Sequence, residues 1–159
     1  MMKQPVAVVT GATGGIGVAI CQALTPAWQV IGACHNAGDE TMAHWRANME
    51  PTAELIRLEL IDHEQTTHAV EAILARHGAP ALLVNCAGIT ADGFFSKMSF
   101  ADWENVIRTN LVSLFSITQP VYRAMCTKGG GVIINISSVN GERGQAGQTN
   151  YCASKAGVI

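Results

Sequence analysis

Short apolar runs alternate along the chain with segments whose apolar positions keep helical spacing. Val6–Val9 reads as a buried strand and Gly15–Leu24 as a helix. Gln29–Cys34 predicts a second strand and Asp39–Asn48 a short helix. Ala53–Leu60 alternates as a third strand, and His63–His77 is helical, with Val70, Ile73 and Leu74 on one face. Ala81–Val84 follows the breaker Gly78-Ala79-Pro80 as a fourth strand. Ala101–Lys128 predicts a long helix, Val132–Ile136 a fifth strand, and a last helix starts near Thr149. Strands apolar throughout and separated by helices imply a parallel sheet covered on both faces, hence an α/β fold. Pro120 lies inside the long helix, where proline removes a hydrogen bond and crowds the preceding turn. A kink is expected there rather than two helices, because Val106, Ile107, Leu111, Leu114, Val121 and Met125 continue one face.

Length and composition narrow the picture. The 159 residues fit one domain, 1–159, with no repeat, low-complexity tract or linker. Hydrophobic residues make up 48% and charged residues 14%, against about 25% charged in an ordinary soluble domain. Disorder is excluded by that balance, and the sparse charge suggests a surface partly covered by another subunit. A net charge of −2 provides no basic footprint for nucleic acid. The cysteines, at 21, 34, 86, 126 and 152, form no CxxC pair and are odd in number. Neither a disulfide framework nor a zinc site is expected, and a reducing cytosol fits best. No charged residue stands between Lys3 and Asp39, but Gln, Thr, Pro and several Gly break that stretch. It holds no run of about 18 apolar residues, and Val6–Val9 is too short for a signal peptide's apolar region. A cytoplasmic protein without a membrane segment is expected.

The first strand runs directly into Thr10-Gly11-Ala12-Thr13-Gly14-Gly15-Ile16-Gly17 and a helix. Gly11, Gly14, Gly15 and Gly17, with Thr13 and Ile16 between them, permit a tight turn and let backbone approach a pyrophosphate. The helix N-terminus adds free N–H groups and partial positive charge. A flexible turn is the plain alternative. The Lys-Ser/Thr pair of a P-loop is absent, which disfavours a nucleoside triphosphatase. The second strand ends at Cys34-His35-Asn36 with no acid at its tip; Asp39 and Glu40 open the next helix. A site selective for NAD places an acid about 20 residues past the motif. The segment therefore tolerates a 2′-phosphate, so NADP(H) is expected, with NAD(H) as the alternative. His35 is the one group in that segment suited to the phosphate.

Tyr151 and Lys155, four apart, share one face of the last helix. A nearby ammonium stabilises phenolate, which lets a tyrosine exchange a proton near neutral pH. Alone, the pair would read as surface residues. Ser137-Ser138, however, ends the fifth strand at the carboxyl edge of the sheet, where α/β proteins bind ligands. A hydroxyl there can polarise a carbonyl oxygen. Asn110 sits on the apolar stripe of the long helix and must be hydrogen-bonded if buried; a satisfied core Asn is the plain reading. The five His residues show no ligand pattern, and no metal is expected.

Taken together, these motifs resemble the short-chain dehydrogenase/reductase family along the whole chain. Thr10-Gly11-x-x-x-Gly15-x-Gly17 is similar to its cofactor signature. Asn85-Cys86-Ala87-Gly88 is similar to its Asn-Asn-Ala-Gly, with Cys in place of the second Asn. Asn110, Ser138, Tyr151 and Lys155 match the four catalytic positions, and Asp62 looks like the residue near the adenine. The resemblance implies a Rossmann-type, doubly wound parallel sheet and hydride transfer between a nicotinamide and a carbonyl or alcohol carbon. It implies that Asn85, Ala87, Gly88, Tyr151 and Lys155 contact the cofactor. Ser138 would hold the substrate oxygen and Tyr151 would protonate it. Lys155 would lower the Tyr151 pKa and hold the nicotinamide ribose, and Asn110 would support a water relay to Lys155.

The stretches Ile136–Gly141 and Gly144–Tyr151, with Gly88-Ile89-Thr90-x-Asp92, look like the 3-oxoacyl-thioester reductases of the family. The resemblance places Asp92, Gln145 and Gln148 at the substrate. Acyl-carrier-protein thioesters are the first expectation and acetoacetyl-CoA the alternative. Ala146 departs from the aromatic that acetoacetyl-CoA reductases carry, and Gly129-Gly130 from a basic docking residue of the carrier-protein enzymes. Cys152 is expected to be a buried, inert thiol, and Phe94, Phe95 and Met98 ordinary core, with an acyl-binding or subunit-contact patch as the alternative. Members of the family continue beyond the position of Ile159 with further strands and a substrate-covering loop, and pair into dimers and tetramers. The chain is therefore expected to be either the front of an active reductase or a fragment limited to dinucleotide binding and self-association.

Overall fold

The computed structural model describes residues 4–159; Lys3, which entered the reading of the leading segment, lies outside the described residues. The strands are β1 (Val6–Thr10), β2 (Gln29–Cys34), β3 (Glu54–Arg57), β4 (Leu82–Asn85) and β5 (Val132–Asn135). They form one parallel sheet in the order β3-β2-β1-β4-β5. The chain steps outward from β1 to β3, then returns to β1's other side with β4. The carboxyl ends of β1 and β4 therefore diverge at a switch point, where a crevice opens.

The helices are α1 (Gly15–Leu24), α2 (Asp39–Ala47), α3 (His63–His77), α4 (Phe100–Ile107), α5 (Ser113–Lys128), α6 (Val139–Arg143) and α7 (Thr149–Ala156). Alternation along each strand splits the core between two faces. Val6, Val8, Ile31 and Leu83 pack with Val70 and Ile73 of α3 and Ile117, Val121 and Met125 of α5. Ala7, Val9, Val30 and Val84 pack with Cys21 of α1 and Met42 and Trp45 of α2. Fully buried side chains such as Ile31 and Leu83 each contribute about 1.5–3 kcal/mol. The expected doubly wound Rossmann-type sheet is thus present. β5 is an edge strand with Val132 and Ile134 exposed. Among the described residues no helix is long and apolar enough to cross a membrane.

Three expectations need correction. The long helix leaves α geometry at a π-turn over Arg108–Val112, while Pro120 lies within the continuous α5. The cause lies in the polar side chains of that turn. Asn110 is held from outside the helix, and Ser113 Oγ donates to the Thr109 carbonyl at 2.6 Å. Phe94 and Phe95 are not core: they are 71% and 68% exposed on the connection after β4, which turns through a short 3₁₀ segment at Phe95–Lys97. Phe95 meets Trp103 edge-on, and with Met98 and Phe100 they line a shallow apolar pocket. Cys152, expected to be buried, is half-buried. The helix α6 went unread, because Val139-Asn140-Gly141-Glu142-Arg143 carries no apolar period; Ser138 starts it by accepting from Asn140 N.

Candidate functional site

A cavity of about 510 Å³ opens at the switch point. One side is the glycine turn: Thr10, Gly11, Thr13, Gly14, Gly15, Ile16 and Gly17. Gly11 takes φ +65, and a Cβ there would stand 2.8 Å from the Ala87 backbone. A Cβ on Gly17 would collide with the Gly11 carbonyl oxygen. The turn is also anchored from below. Ala12 N donates to the Ala33 carbonyl at 3.0 Å, and the buried Trp45 indole donates to the Ala12 carbonyl at 3.0 Å. Gly14 begins α1 with no side-chain cap. The first N–H groups of a helix lack intrahelical partners, and here Gly15, Ile16 and Gly17 line the cavity. An uncapped, positively polarised helix end beside a glycine cradle fits a pyrophosphate.

The opposite wall comes from the ends of β3 and β4. Thr10 Oγ accepts from Cys86 N and Ala87 N, both at 3.1 Å, which ties β1 to β4. Cys86, Ala87, Gly88 and Ile89 face the cavity. Asn85 does not: its Nδ2 donates to Thr118 Oγ and Asn135 Oδ1, linking β4 to α5 and β5. Asp62 does not line it either. Its carboxylate caps α3, accepting from Gln65 N at 2.9 Å and Gln65 Nε2 at 2.8 Å, and these bonds hold its pKa below the usual carboxylate value. The acid that the structure brings to the cavity is Glu59, three residues earlier, beside His35. The alternation Leu58-Glu59-Leu60, just past the end of β3, is the one local signal for it. Leu58 and Leu60 are buried, so Glu59 between them points to the opposite side. Asn105 and Thr109 of the long helix also line the cavity and were missed.

Beyond Gly88 stand the chemical groups. A Cβ built on Gly88 would lie 3.3 Å from Asn110 Oδ1 and 3.5 Å from Lys155 Nζ, so both side chains flank that glycine. Asn110 is 1% exposed. Its Oδ1 accepts from Ile89 N at 2.8 Å, and its Nδ2 donates to the Ile89 carbonyl and to Ser154 Oγ, each at 3.0 Å. It clamps the β4 connection, the π-turn and α7 together. Lys155 is buried, with Nζ donating to the Ile136 carbonyl at 2.7 Å and standing 5.9 Å from the Tyr151 ring centroid. Burial pulls the Lys155 pKa below its ordinary value, with Cys86 acting the other way. The Cys86 thiol is pushed up by burial and pulled down by Lys155. Ser137 Oγ donates to the Lys155 carbonyl at 2.7 Å, which binds the end of β5 to α7. Ser138 Oγ accepts from Asn140 N at 3.2 Å, leaving its own hydrogen to donate.

The loop residues divide. Gln148 Nε2 donates to Asp92 at 2.9 Å while its Oε1 accepts from Asn140 Nδ2 at 2.9 Å. Gly93 N donates to the Gly147 carbonyl, closing the same bridge. The buried Asn150, also missed in the sequence, donates to the carbonyls of Ala91 and Asp102 and accepts from Tyr151 N at 2.8 Å, so it sets the start of α7. The Gln145 side chain is exposed and outside this network.

The sheet order and the glycine turn at the switch point are those of a Rossmann-type α/β domain, with Tyr151 and Lys155 of α7 standing beyond Gly88. Residues 5–159 match the model of the short chain dehydrogenase family, and the chain belongs to that family. It is 44% identical over 163 residues to an acetoacetyl-CoA reductase of Acinetobacter sp., covering 100% of this chain and 66% of that protein. It is 48% identical over 161 residues to nodulation protein G of Azospirillum brasilense, covering 99% of this chain and 65% of that protein. An acetoacetyl-CoA reductase of Cupriavidus necator is 42% identical over 161 residues, with 99% and 65% covered. The chain thus spans just under two-thirds of the length of these relatives.

Proposed function

We propose that the protein reduces a 3-oxoacyl thioester to the 3-hydroxyacyl thioester with NADPH, and that acetoacetyl-CoA is the substrate. The observation that carries the reading is the buried Lys155 beneath Tyr151, joined to the end of β5 through Ser137 and Ile136. The carrier assignment reverses the first expectation of an acyl-carrier-protein thioester, which remains the competing substrate. Two of the relatives above bear the name acetoacetyl-CoA reductase.

When bound, the nicotinamide supplies the hydride. The chain's own residues do the rest. Gly11–Gly17 and the N-terminus of α1 receive the pyrophosphate. Cys86–Ile89 form the wall leading to the acid–base group. Ser138 Oγ donates to the substrate carbonyl oxygen and Tyr151 Oη delivers the proton to it. The Lys155 ammonium, held by the Ile136 carbonyl, stabilises the phenolate left behind. Asn110 fixes Ser154, next to Lys155, and so sets the register of α7. The Asp92–Gln148–Asn140 chain holds the loop over this face for the thioester. Exposed Val112, Phe115 and Tyr122 support association of like chains, and the five free cysteines a reducing cytoplasmic setting. The test is NADPH oxidation on adding acetoacetyl-CoA, against the same acyl group on acyl carrier protein. Turnover of the CoA ester that is lost in Tyr151→Phe confirms the reading. Turnover of the carrier-protein ester alone returns the first expectation.

A further inference from the structure

The glycine turn is held from beneath by the strand and helix that follow α1. Both β2 and α2 reach back to Ala12. Ala12 N donates to the Ala33 carbonyl of β2 at 3.0 Å, and Trp45 Nε1 of α2 donates to the Ala12 carbonyl at 3.0 Å. Ala12 is fully buried, and Trp45 lies with Met42 on the buried face of α2. A Cβ built on Gly32 would stand 2.8 Å from Ala12 Cβ and 2.9 Å from Trp45 Cζ2, so β2 is bare where the indole lies against it. Trp45 does not itself line the cavity.

A trans peptide is planar, and its C=O and N–H point in opposite directions. The peptide joining Ala12 to Thr13 has its carbonyl directed down at Trp45. Its N–H, which belongs to Thr13, is therefore directed up, on the side where Thr13 lines the cavity. Gly14 N closes the turn on the Gly11 carbonyl at 3.0 Å, whereas Thr13 N has no backbone partner among the described residues. Successive backbone N–H groups in a turn form a concave site for an anion. A peptide free to rotate would present its carbonyl oxygen to that anion part of the time and repel it. The indole prevents this, because turning the buried Ala12 carbonyl away from Nε1 leaves an indole N–H without an acceptor in the core.

We propose that Trp45 is a positioning residue for the cofactor: its indole N–H fixes the Ala12–Thr13 peptide so that the Thr13 N–H faces a phosphate oxygen of the dinucleotide. The inference rests on the dinucleotide reading of the cavity. Trp45 acts through the turn, and it orders the donor before the ligand arrives, which removes that ordering from the cost of binding.

The test replaces Trp45 site-specifically by two analogues of nearly equal volume and titrates each purified protein calorimetrically with NADP⁺. In 3-benzothienylalanine sulfur stands in place of the N–H; 5-fluorotryptophan keeps the N–H. Affinity is expected to fall about tenfold with the first, the size of one charge-assisted hydrogen bond, and to stay within about twofold with the second. Trp45→Phe, which also lacks the donor, shows the same loss. Adenosine, which has no phosphate, competes with unchanged affinity in all of them. Met42→Ala loosens the same helix without removing a bond to the turn; its thermal midpoint falls while NADP⁺ affinity stays within about twofold. Equal NADP⁺ affinity in the two analogue proteins, a parallel loss of adenosine affinity, or a loss in Met42→Ala as large as in the benzothienyl protein overturns the proposal. Failure of the folded, unsubstituted protein to bind NADP⁺, with a cooperative thermal transition intact, overturns the dinucleotide reading of the cavity and the proposal with it.

Discussion

Replacing Asn110 by alanine removes the side chain that ties the β4 connection and α7 to the π-turn. Three hydrogen bonds go: one accepted from Ile89 N and two donated, to the Ile89 carbonyl and Ser154 Oγ. Each bond is worth about 1 kcal/mol net, and a buried group left without a partner costs about 1–3 kcal/mol. Ser154 keeps its bond to the Tyr151 carbonyl, and Ile89 is half-buried, so water recovers part of the loss. The expected destabilisation is about 3–5 kcal/mol, a large share of the roughly 5–15 kcal/mol that holds a domain folded. Urea unfolding reads it as a lower midpoint at unchanged m. Asn110→Asp keeps the acceptor for Ile89 N but sets a carboxylate oxygen against the Ile89 carbonyl oxygen, so conservation of shape does not rescue it. An alanine variant within about 0.5 kcal/mol of the parent at the same m, or an aspartate variant as stable as the parent, refutes the clamp.

Tyr151→Phe leaves NADPH binding intact by fluorescence titration and lowers the reduction rate by at least the ~10²–10⁴-fold that general-acid catalysis provides. Gly17→Ala drives a methyl into the Gly11 carbonyl; dinucleotide affinity and thermal midpoint should fall together, and a variant that keeps both contradicts the close approach. Burial holds the folded Lys155 pKa below 10.5, so its charged form penalises the fold at low pH, and stability from this group grows as pH rises through the folded value toward 10.5. Lys155→Met removes that rise from urea midpoints taken across the alkaline range, while abolishing turnover. Burial pushes the Cys21 thiol up to about 12, so a disulfide reagent at neutral pH labels the exposed Cys126 in the native protein and reaches Cys21 only on unfolding.

Strand and helix order were legible because the two periodicities are local: uniform apolar runs for strands buried on both faces, and 3.6-residue spacing for the helices around them. Gly15–Leu24, Gln29–Cys34 and His63–His77 coincide with their observed bounds for that reason. The glycine turn and the Tyr151–Lys155 pair were legible because each is a short-range arrangement, one a turn leading into a helix and the other a single helical repeat. Which acid reaches the cofactor cavity was not. Asp62 and Glu59 are three residues apart, and only the register of Cys34 with Arg57 and the cap at Gln65 turn Glu59 to the cavity and Asp62 to the helix. The π-turn escaped likewise: its residues have ordinary helical composition, and its cause is an Asn110 side chain bonded 21 and 44 residues away. Composition and spacing determined the layers and the chemical groups available. Contacts between distant segments decided which of those groups share the cavity, because hydrogen-bond partners are chosen by the folded packing and not by neighbourhood in the chain.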